Sequence, residues 1–218
     1  MKLNDFSAVI FDLDGLVLDT ETTYLKAWQT AAAILGYQLS NEFCLSFSGL
    51  SGQAVRERLL QECGTDFDLM HFSELSGKAW REYVEKHGIA VKQGFFELLA
   101  HIQKHNLPYC LATNSRKLNA LECLALAGLS DVFELIISRD DVAEPKPSPE
   151  VFLKAADCLN VPITDCLILE DSHTGVMAAH QAGAYVCYVP STELQPKALA
   201  LCNFHAPNLC KVLQALNT

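Results

Sequence analysis

The sequence predicts an α/β protein built on a doubly wound parallel sheet, with a block of helices inserted after the first strand. Short apolar runs alternate with longer helical patterns along most of the chain. Uninterrupted apolar strands suit a parallel sheet that is covered on both faces, and strands that alternate with helices are typical of doubly wound folds. Residues 18–87 are instead helical in pattern throughout, which predicts a separate small cap.

Five buried strands are predicted, and each is a short run of mainly apolar residues. They are Ala8–Phe11, Tyr109–Ala112, Glu134–Ile137, Cys166–Leu169 and Tyr185–Val189. The strands fall outside the predicted cap. The chain therefore divides into a Rossmann-like core of residues 1–17 and 88–218 and a helical cap of residues 18–87.

The helices of the core follow from apolar periodicity and from stop signals at glycine. They are predicted at Phe95–His105, Leu118–Ala127, Pro149–Leu159 and Gly175–Ala182. Ser148 before Pro149 supplies an N-cap followed by proline at the first helical position. Within the cap, turn signals stand at Gly36, at residues 49–52 and at residues 64–66.

Composition limits the partners of the chain. Hydrophobic residues make up 50% and charged residues 19% of its 218 residues, as in a well-packed globular protein. The formal net charge of −10 repels nucleic acid and anionic membrane surfaces, so we expect neither partner. The nine cysteines form no C-x-x-C pair, which predicts buried free thiols in a reducing compartment. With no signal stretch and no bilayer-spanning run, we expect a cytoplasmic protein.

Polar side chains follow the predicted strands at the points where those strands end. Asp12 and Asp14 follow the first strand, residues 113–115 the second, and Glu170 and Asp171 the fourth. Lys146 follows the third strand by a short loop. Because ligands bind at the carboxyl ends of parallel strands, we expect these groups to meet at one edge of the sheet.

The residue types in this set predict phosphoryl-transfer chemistry. Clustered carboxylates need a neutralising cation, and hard oxygen ligands suit Mg²⁺. Asp12 could then attack phosphorus as a nucleophile, and Asp14 could protonate the leaving oxygen and later activate water. Thr113, the amides beside it, including that of Asn114, and Lys146 would bind the phosphoryl oxygens.

Four short motifs resemble those of the haloacid dehalogenase superfamily, and the resemblance spans the whole chain. They are Phe11-Asp12-Leu13-Asp14-Gly15, Ala112-Thr113-Asn114-Ser115, Lys146 within Glu144–Pro149, and Leu169-Glu170-Asp171-Ser172. The resemblance implies a nucleophilic Asp12, an acid/base Asp14 and a helical cap. It also implies Mg²⁺ held by Asp12, the Asp14 carbonyl and Asp171, with Glu170 nearby in direct or water-mediated contact.

Within that superfamily the chain is similar to the branch of β-phosphoglucomutase and the small sugar-phosphate phosphatases. Two positions favour hydrolysis over mutase chemistry. Tyr24 stands where the mutase resemblance calls for a histidine. In the loop of residues 48–52, Gly52 stands where the mutase has an arginine that grips phosphate. The expected function is therefore hydrolysis of a small phosphomonoester, such as a sugar phosphate, by a monomer.

Several assignments stay open at the level of sequence. A phosphomutase and a non-catalytic phosphometabolite sensor are the rival functions, and 2-haloacid dehalogenation is disfavoured because it needs no metal site. Asp19 either orients the loop into the cap or only begins its helix, and His173 either starts a helix or contacts substrate. Four cationic side chains of the cap either form salt bridges or reach the far side of the substrate: Arg56, Arg58, Lys78 and Arg81.

Overall fold

A parallel sheet with helices on both faces forms the core. The computed structural model of the chain describes residues 2–47, 50 and 52–217. Within them six strands form one sheet in the order β3-β2-β1-β4-β5-β6, with every neighbouring pair parallel. The strands are β1 Ala8–Phe11, β2 Tyr109–Ala112, β3 Ile136–Ile137, β4 Cys166–Glu170, β5 Tyr185–Tyr188 and β6 Phe204–His205. This order is that of a doubly wound fold.

Successive residues of the central strands face two separate hydrophobic clusters. Val9 and Phe11 of β1 belong to one cluster, and Ala8 and Ile10 belong to the other. All four side chains are fully buried. Because side chains alternate along a strand, an uninterrupted apolar run is what a sheet covered on both faces requires.

Ten helices are seen in the described residues. The cap contains α1 Thr20–Ile34, α2 Asn41–Leu45, α3 Gly52–Cys63 and α4 Leu69–His87. The core contains α5 Phe95–Lys104, α6 Lys117–Leu126, α7 Glu150–Cys158, α8 His173–Ala182, α9 Pro196–Leu199 and α10 Leu209–Leu216. The helical cap and the α/β core are both as predicted, whereas α9, α10 and β6 were not anticipated.

The predicted boundaries differ from the structure by one or two residues in most elements. The largest difference in a strand is at β3, which begins at Ile136 and not at Glu134, because Glu134 is exposed at the edge of the sheet. In the core helices, α8 begins at His173, two residues before the predicted start, since the Ser172 hydroxyl accepts the N–H of Gly175. The N-cap of α7 is Pro149 and not the predicted Ser148, whose hydroxyl accepts the N–H of Glu150 at 3.4 Å.

Two antiparallel segments connect the cap to the core. Leu18 bridges Val91, and the N–H of Asp19 donates to Ala90 O at 2.8 Å. The Asp19 carboxylate makes no capping bond to the backbone and instead accepts the hydroxyl of Thr22. The cap also has its own hydrophobic cluster, with Leu25, Leu59 and other residues. The division at residues 17/18 and 87/88 stays a prediction that these contacts favour.

The nine cysteines are free thiols, but only five of them are buried as predicted, since Cys158 is exposed and Cys63, Cys202 and Cys210 are partly buried. Burial raises the pKa of the Cys44 thiol to about 11, so this group is neutral at physiological pH. Among the described residues, no helix combines the length and the apolar character that crossing a bilayer requires.

Candidate active site

The candidate site lies where the order of the strands reverses. Asp12 follows β1, whose neighbours on either side are β2 and β4. Thr113 follows β2, and Glu170 is the last residue of β4. The N–H of Asp12 donates to Leu169 O at 3.0 Å, which holds the start of this loop against β4. Such a switch point forms a crevice at the carboxyl ends of the strands, where ligands of α/β proteins bind.

A buried lysine joins two of the carboxylates. Lys146 Nζ lies 2.6 Å from Asp12 Oδ1 and 2.6 Å from Glu170 Oε1, and it also donates to Ala112 O at 2.9 Å. The ammonium group has three protons, and all three have partners here. It also lies 4.6 Å from the centre of the Phe152 ring. Lys146 therefore fixes the orientation of Asp12, and a direct bond to phosphate requires that one of these contacts be given up.

The carboxylates of the site carry more charge than this one lysine can balance. Burial raises the pKa of Asp12 well above its ordinary value, against the opposing charge of Lys146. Burial likewise raises the pKa of Asp171, and the charges of Glu170 and Asp12 add to the effect. Burial alone would lower the pKa of Lys146, but Asp12 and Glu170 raise it above its ordinary value. The cluster thus favours the binding of an additional cation.

Glu170 is held by hydrogen bonds on both oxygens. Oε1 accepts from Lys146, while Oε2 accepts the N–H groups of Asp171 and Ser172 at 3.0 and 3.1 Å and the Ser172 hydroxyl at 3.1 Å. A Cβ atom placed on Gly175 would lie 1.7 Å from Oε1. Glycine at that position is therefore what lets α8 approach the carboxylate, a requirement that the sequence analysis missed.

The residues present fit a divalent cation. Asp12, Glu170 and Asp171 are all buried, and each offers a carboxylate oxygen within 4.8 Å of the others. Asp171 Oδ2 is buried and has no hydrogen-bond partner among the described residues. Gly15, at φ +87°, brings the backbone so close that a Cβ there would lie 2.1 Å from Asp171 Oδ2. Because Glu170 is saturated by its own bonds, Asp12 and Asp171 are the better direct ligands.

Three hydroxyl groups hold the second aspartate. Asp14 Oδ1 accepts from Thr20 Oγ1 at 2.8 Å, and Oδ2 accepts from Ser115 Oγ at 2.7 Å and Thr113 Oγ1 at 3.3 Å. Thr20 is the first residue of α1, so this contact ties the cap to the acid/base candidate. Thr20 belongs to none of the four motifs and was not predicted as a site residue. Its position one residue beyond Asp19, at the crossing into the cap, was the available signal.

Asn114 binds the lysine loop through its side chain, and its backbone N–H, the group predicted to bind phosphate, makes no hydrogen bond to a described residue. Its side chain donates from Nδ2 to Lys146 O at 3.2 Å and accepts the Lys146 N–H on Oδ1 at 2.8 Å. The amide therefore clamps the backbone of the lysine loop. Among the described residues, no hydrogen bond is seen from the backbone N–H of Leu13, Asp14 or Asn114, which leaves these three donors available to an anion.

A cavity of about 490 Å³ opens between this cluster and the cap. Its core side contains Asp12, Asp14, Lys146 and the residues after β2 and β4. Its cap side includes Tyr24, the position that lacks the histidine expected of a mutase. Gly52 also lines the cavity, but Ser48, Gly49 and Ser51 of the same loop lie outside the described residues.

The cationic side chains of the cap separate into two groups. Arg58 donates to Ser46, Lys78 lies 3.9 Å from Glu82, and Arg81 lies 3.9 Å from Glu122 of α6. Arg56, in contrast, lines the cavity and makes no ion pair or hydrogen bond with any described residue. His173 begins α8, and its Nδ1 is buried without a described hydrogen-bond partner.

Comparison with known proteins gives consistent matches. The family model described as haloacid dehalogenase-like hydrolase matches residues 9–189. A β-phosphoglucomutase of Bacillus subtilis is 30% identical over 184 residues, which cover 82% of this chain and 80% of that protein. A fructose-1-phosphate phosphatase of Escherichia coli is 27% identical over 178 residues, which cover 82% of this chain and 93% of that protein.

Two further matches concern chain length and fold. A bifunctional riboflavin kinase/FMN phosphatase of Arabidopsis thaliana is 29% identical over 190 residues, or 87% of this chain, but the match spans only 50% of that longer protein. The crystal structure of a hydrolase from Pseudomonas syringae matches with a TM-score of 0.81 at 28% identity, covering 97% of this chain and 98% of that one.

Proposed function

The chain belongs to the haloacid dehalogenase-like hydrolases, and on that premise we propose that it is a Mg²⁺-dependent phosphatase acting through an aspartyl-phosphate on Asp12. Its similarity to named phosphatases makes it a phosphoric monoester hydrolase. The observation that carries the finer proposal is the placement of Asp12. Its carboxylate is buried at the switch point, and Lys146 holds Oδ1 at 2.6 Å.

In the first step, a carboxylate oxygen of Asp12 forms a bond to phosphorus while the bond from phosphorus to the leaving oxygen breaks. Asp14 gives a proton to that oxygen, since an alkoxide is a poor leaving group. The hydroxyl groups of Thr20 and Ser115 hold the Asp14 carboxylate in one orientation during this transfer. In the second step, Asp14 takes a proton from water, which attacks phosphorus and releases Asp12.

Asp12, the Asp14 carbonyl and Asp171 are the proposed Mg²⁺ ligands, with Glu170 beside them. When bound, the cation would neutralise the negative charge of the substrate phosphate and of the carboxylates. The chain itself supplies the remaining stabilisation. The free backbone N–H groups of Leu13 and Asp14 point to a nest for the phosphoryl oxygens, and Thr113 adds a hydroxyl at the end of β2. We assign Lys146 the task of holding Asp12, and Asn114 that of holding the Lys146 backbone.

A small phosphomonoester is the proposed substrate, and sugar phosphates are its first candidates, since the relative from Escherichia coli is named for fructose 1-phosphate. The similarity to a β-phosphoglucomutase favours phosphomutase activity as the second candidate. A mutase must return the phosphoryl group to a sugar and exclude water. Formation of an isomerised sugar phosphate, primed by a bisphosphate, would identify it.

Phosphate release from a panel of phosphomonoesters tests the proposal. We expect release with Mg²⁺ that is lost in EDTA and lost in Asp12→Asn. The far-ultraviolet circular dichroism spectrum of that variant should match the wild type, because the side chains have the same shape. Substantial turnover by purified Asp12→Asn would contradict a covalent mechanism on this residue. Isomerisation without release would instead support the mutase.

A further inference from the structure

The cap side of the active-site cavity contains four aromatic side chains. Tyr24, Trp28, Phe47 and Phe72 line it together with several aliphatic side chains. Tyr24 and Trp28 are only partly buried, so part of their surface faces the cavity. We infer that the alcohol part of the substrate carries an aromatic ring that packs against Tyr24 and Trp28. This inference rests on the phosphatase function proposed above, and it replaces a bare sugar phosphate as the first candidate with a phosphomonoester that carries an aromatic ring.

The two aromatic side chains form part of a preorganised stack. The rings of Tyr24 and Trp28 lie 5.7 Å apart at an angle of 17°, and those of Tyr24 and Trp80 lie 5.8 Å apart at 15°. Trp80 is buried, and its Nε1 donates to the Thr23 hydroxyl at 3.0 Å. The rings of Trp28 and Phe47 pack edge to face, with their centroids 5.0 Å apart at an angle of 70°. A further ring would therefore meet an ordered aromatic wall, and little side-chain entropy is lost on binding.

A bare sugar is a poor match for such a wall. Each hydroxyl buried without a hydrogen bond costs free energy, and a sugar presents several of them. Among the described residues, five polar side chains line the cap side, namely Thr20, Glu21, Arg56, Ser73 and Ser76, and the Thr20 hydroxyl is already bonded to Asp14. The aliphatic residues Leu50, Val55 and Leu69 extend the same apolar surface. An aromatic ring buries apolar area here without leaving hydroxyl groups unpaired.

The few polar groups on the cap side suit the edge of a heterocycle. Arg56 lines the cavity without an ion pair or hydrogen bond to a described residue. It lies one helical turn from Gly52 on α3, so the two positions share a face of the helix. Ser73 and Ser76 of α4 add hydroxyl groups. A ring that bears carbonyl or nitrogen acceptors at its edge would find donors here, which an alkyl chain would not use.

The binding of non-hydrolysable phosphonates distinguishes a preference for an aromatic ring from a preference for any apolar group of similar size. The wild-type protein is titrated calorimetrically, in Mg²⁺, with methylphosphonate, cyclohexylmethylphosphonate and benzylphosphonate. We expect benzylphosphonate to bind at least about fivefold more tightly than methylphosphonate, and about two- to tenfold more tightly than the saturated ring. Equal binding of the saturated and aromatic rings, or tightest binding of methylphosphonate, would overturn the inference.

A matched pair of variants tests whether the preference for the aromatic over the saturated ring arises at Trp28. Trp28→Leu keeps an apolar side chain but removes the ring, and it should bring the ratio of the two ring compounds to about one. Phe96→Leu makes the same type of change at an exposed position of α5 outside the cavity, and it should leave the ratio unchanged. Both dissociation constants in this ratio are measured on the same variant, so a change in the stability of that variant does not alter the ratio. An unchanged ratio in Trp28→Leu would contradict the placement of the ring.

Turnover of acetyl phosphate decides the proposed function separately. This acyl phosphate is small, carries no ring and needs no protonation of its leaving group, which is acetate. Hydrolysis of acetyl phosphate without ring preference in the titrations would leave the phosphatase intact and refute the aromatic site. Ring preference without hydrolysis of any ester would refute the phosphatase and assign the cavity to binding alone.

Discussion

Replacing Gly175 with alanine gives the sharpest structural test of the carboxylate cluster. A Cβ on this residue would lie 1.7 Å from Glu170 Oε1 and 1.9 Å from Cδ, far inside van der Waals contact. Glu170 is fully buried and bonded on both oxygens, so it cannot turn aside without losing its contact with Lys146. The clash therefore acts on the residue that helps to hold Lys146, which in turn orients Asp12.

The expected magnitude follows from two opposing effects. Alanine in place of glycine inside a helix stabilises by about 1 kcal/mol. Displacing Glu170 from Lys146 disrupts a buried ion pair, which costs about 3–5 kcal/mol. We therefore expect the free energy of unfolding of Gly175→Ala to fall by about 2–4 kcal/mol, together with a loss of phosphatase activity.

Gly77→Ala is the matched control, because the same change in α4 meets only the tip of Arg81 at 3.8 Å. That variant should be as stable as the wild type or more stable by up to about 1 kcal/mol. Urea unfolding at constant m-value measures both changes. If Gly175→Ala were as stable and as active as Gly77→Ala, the close packing of α8 on Glu170 would be wrong.

Three further predictions concern the same cluster. Lys146→Met leaves the adjacent buried carboxylates unpaired, so urea unfolding should show a loss of about 3–5 kcal/mol, and stability equal to the wild type would contradict the buried pairing. Thr20→Val removes a hydrogen bond to the acid/base residue Asp14 and should lower kcat about tenfold. Thr22 bonds to Asp19 outside the cavity, so Thr22→Val should change kcat little. Equal effects of the two variants on kcat would exclude a role for the Thr20 bond. Burial raises the pKa of Asp12 and Asp171 above their values in the unfolded chain, so the folded chain binds more protons than the unfolded one. The free energy of unfolding, measured in EDTA, should therefore fall as pH rises from about 4 through the raised pKa values. Mg²⁺ binds the ionised carboxylates and should therefore raise Tm more at about pH 8 than at about pH 5; the reverse order would contradict the metal site.

The sequence was sufficient for the sheet and for the cluster at its carboxyl edge. The buried strands read as uninterrupted apolar runs because both faces of the sheet are covered, and the helical stretch after β1 interrupts that rhythm. Polar residues directly after β1, β2 and β4 then had to meet, since parallel strands end at one edge. β6 contains only two residues, of which His205 is exposed, so no pattern of apolar residues could reveal it.

The individual contacts of the residues in the cluster could be determined only from the structure. Residue type predicted Lys146 and the backbone amide of Asn114 as phosphate ligands. The structure adds that all three protons of Lys146 have protein acceptors and that both ends of the Asn114 side-chain amide bond to the Lys146 backbone. The role of Gly175 depends on a distance of closest approach between α8 and Glu170. Such contacts join residues far apart in the chain, and spacing along the sequence carries no signal for them.

The central claim is that the phosphoryl group passes through Asp12. The most direct test is mass spectrometry of the protein after acid quenching during turnover of acetyl phosphate in Mg²⁺, because this substrate forms the intermediate without needing Asp14 as an acid. We predict a mass gain of one phosphoryl group that maps to Asp12 and disappears in Asp12→Asn. A phosphoryl group on another residue, or rapid phosphate release that persists in Asp12→Asn with no phosphorylated protein, would contradict the account.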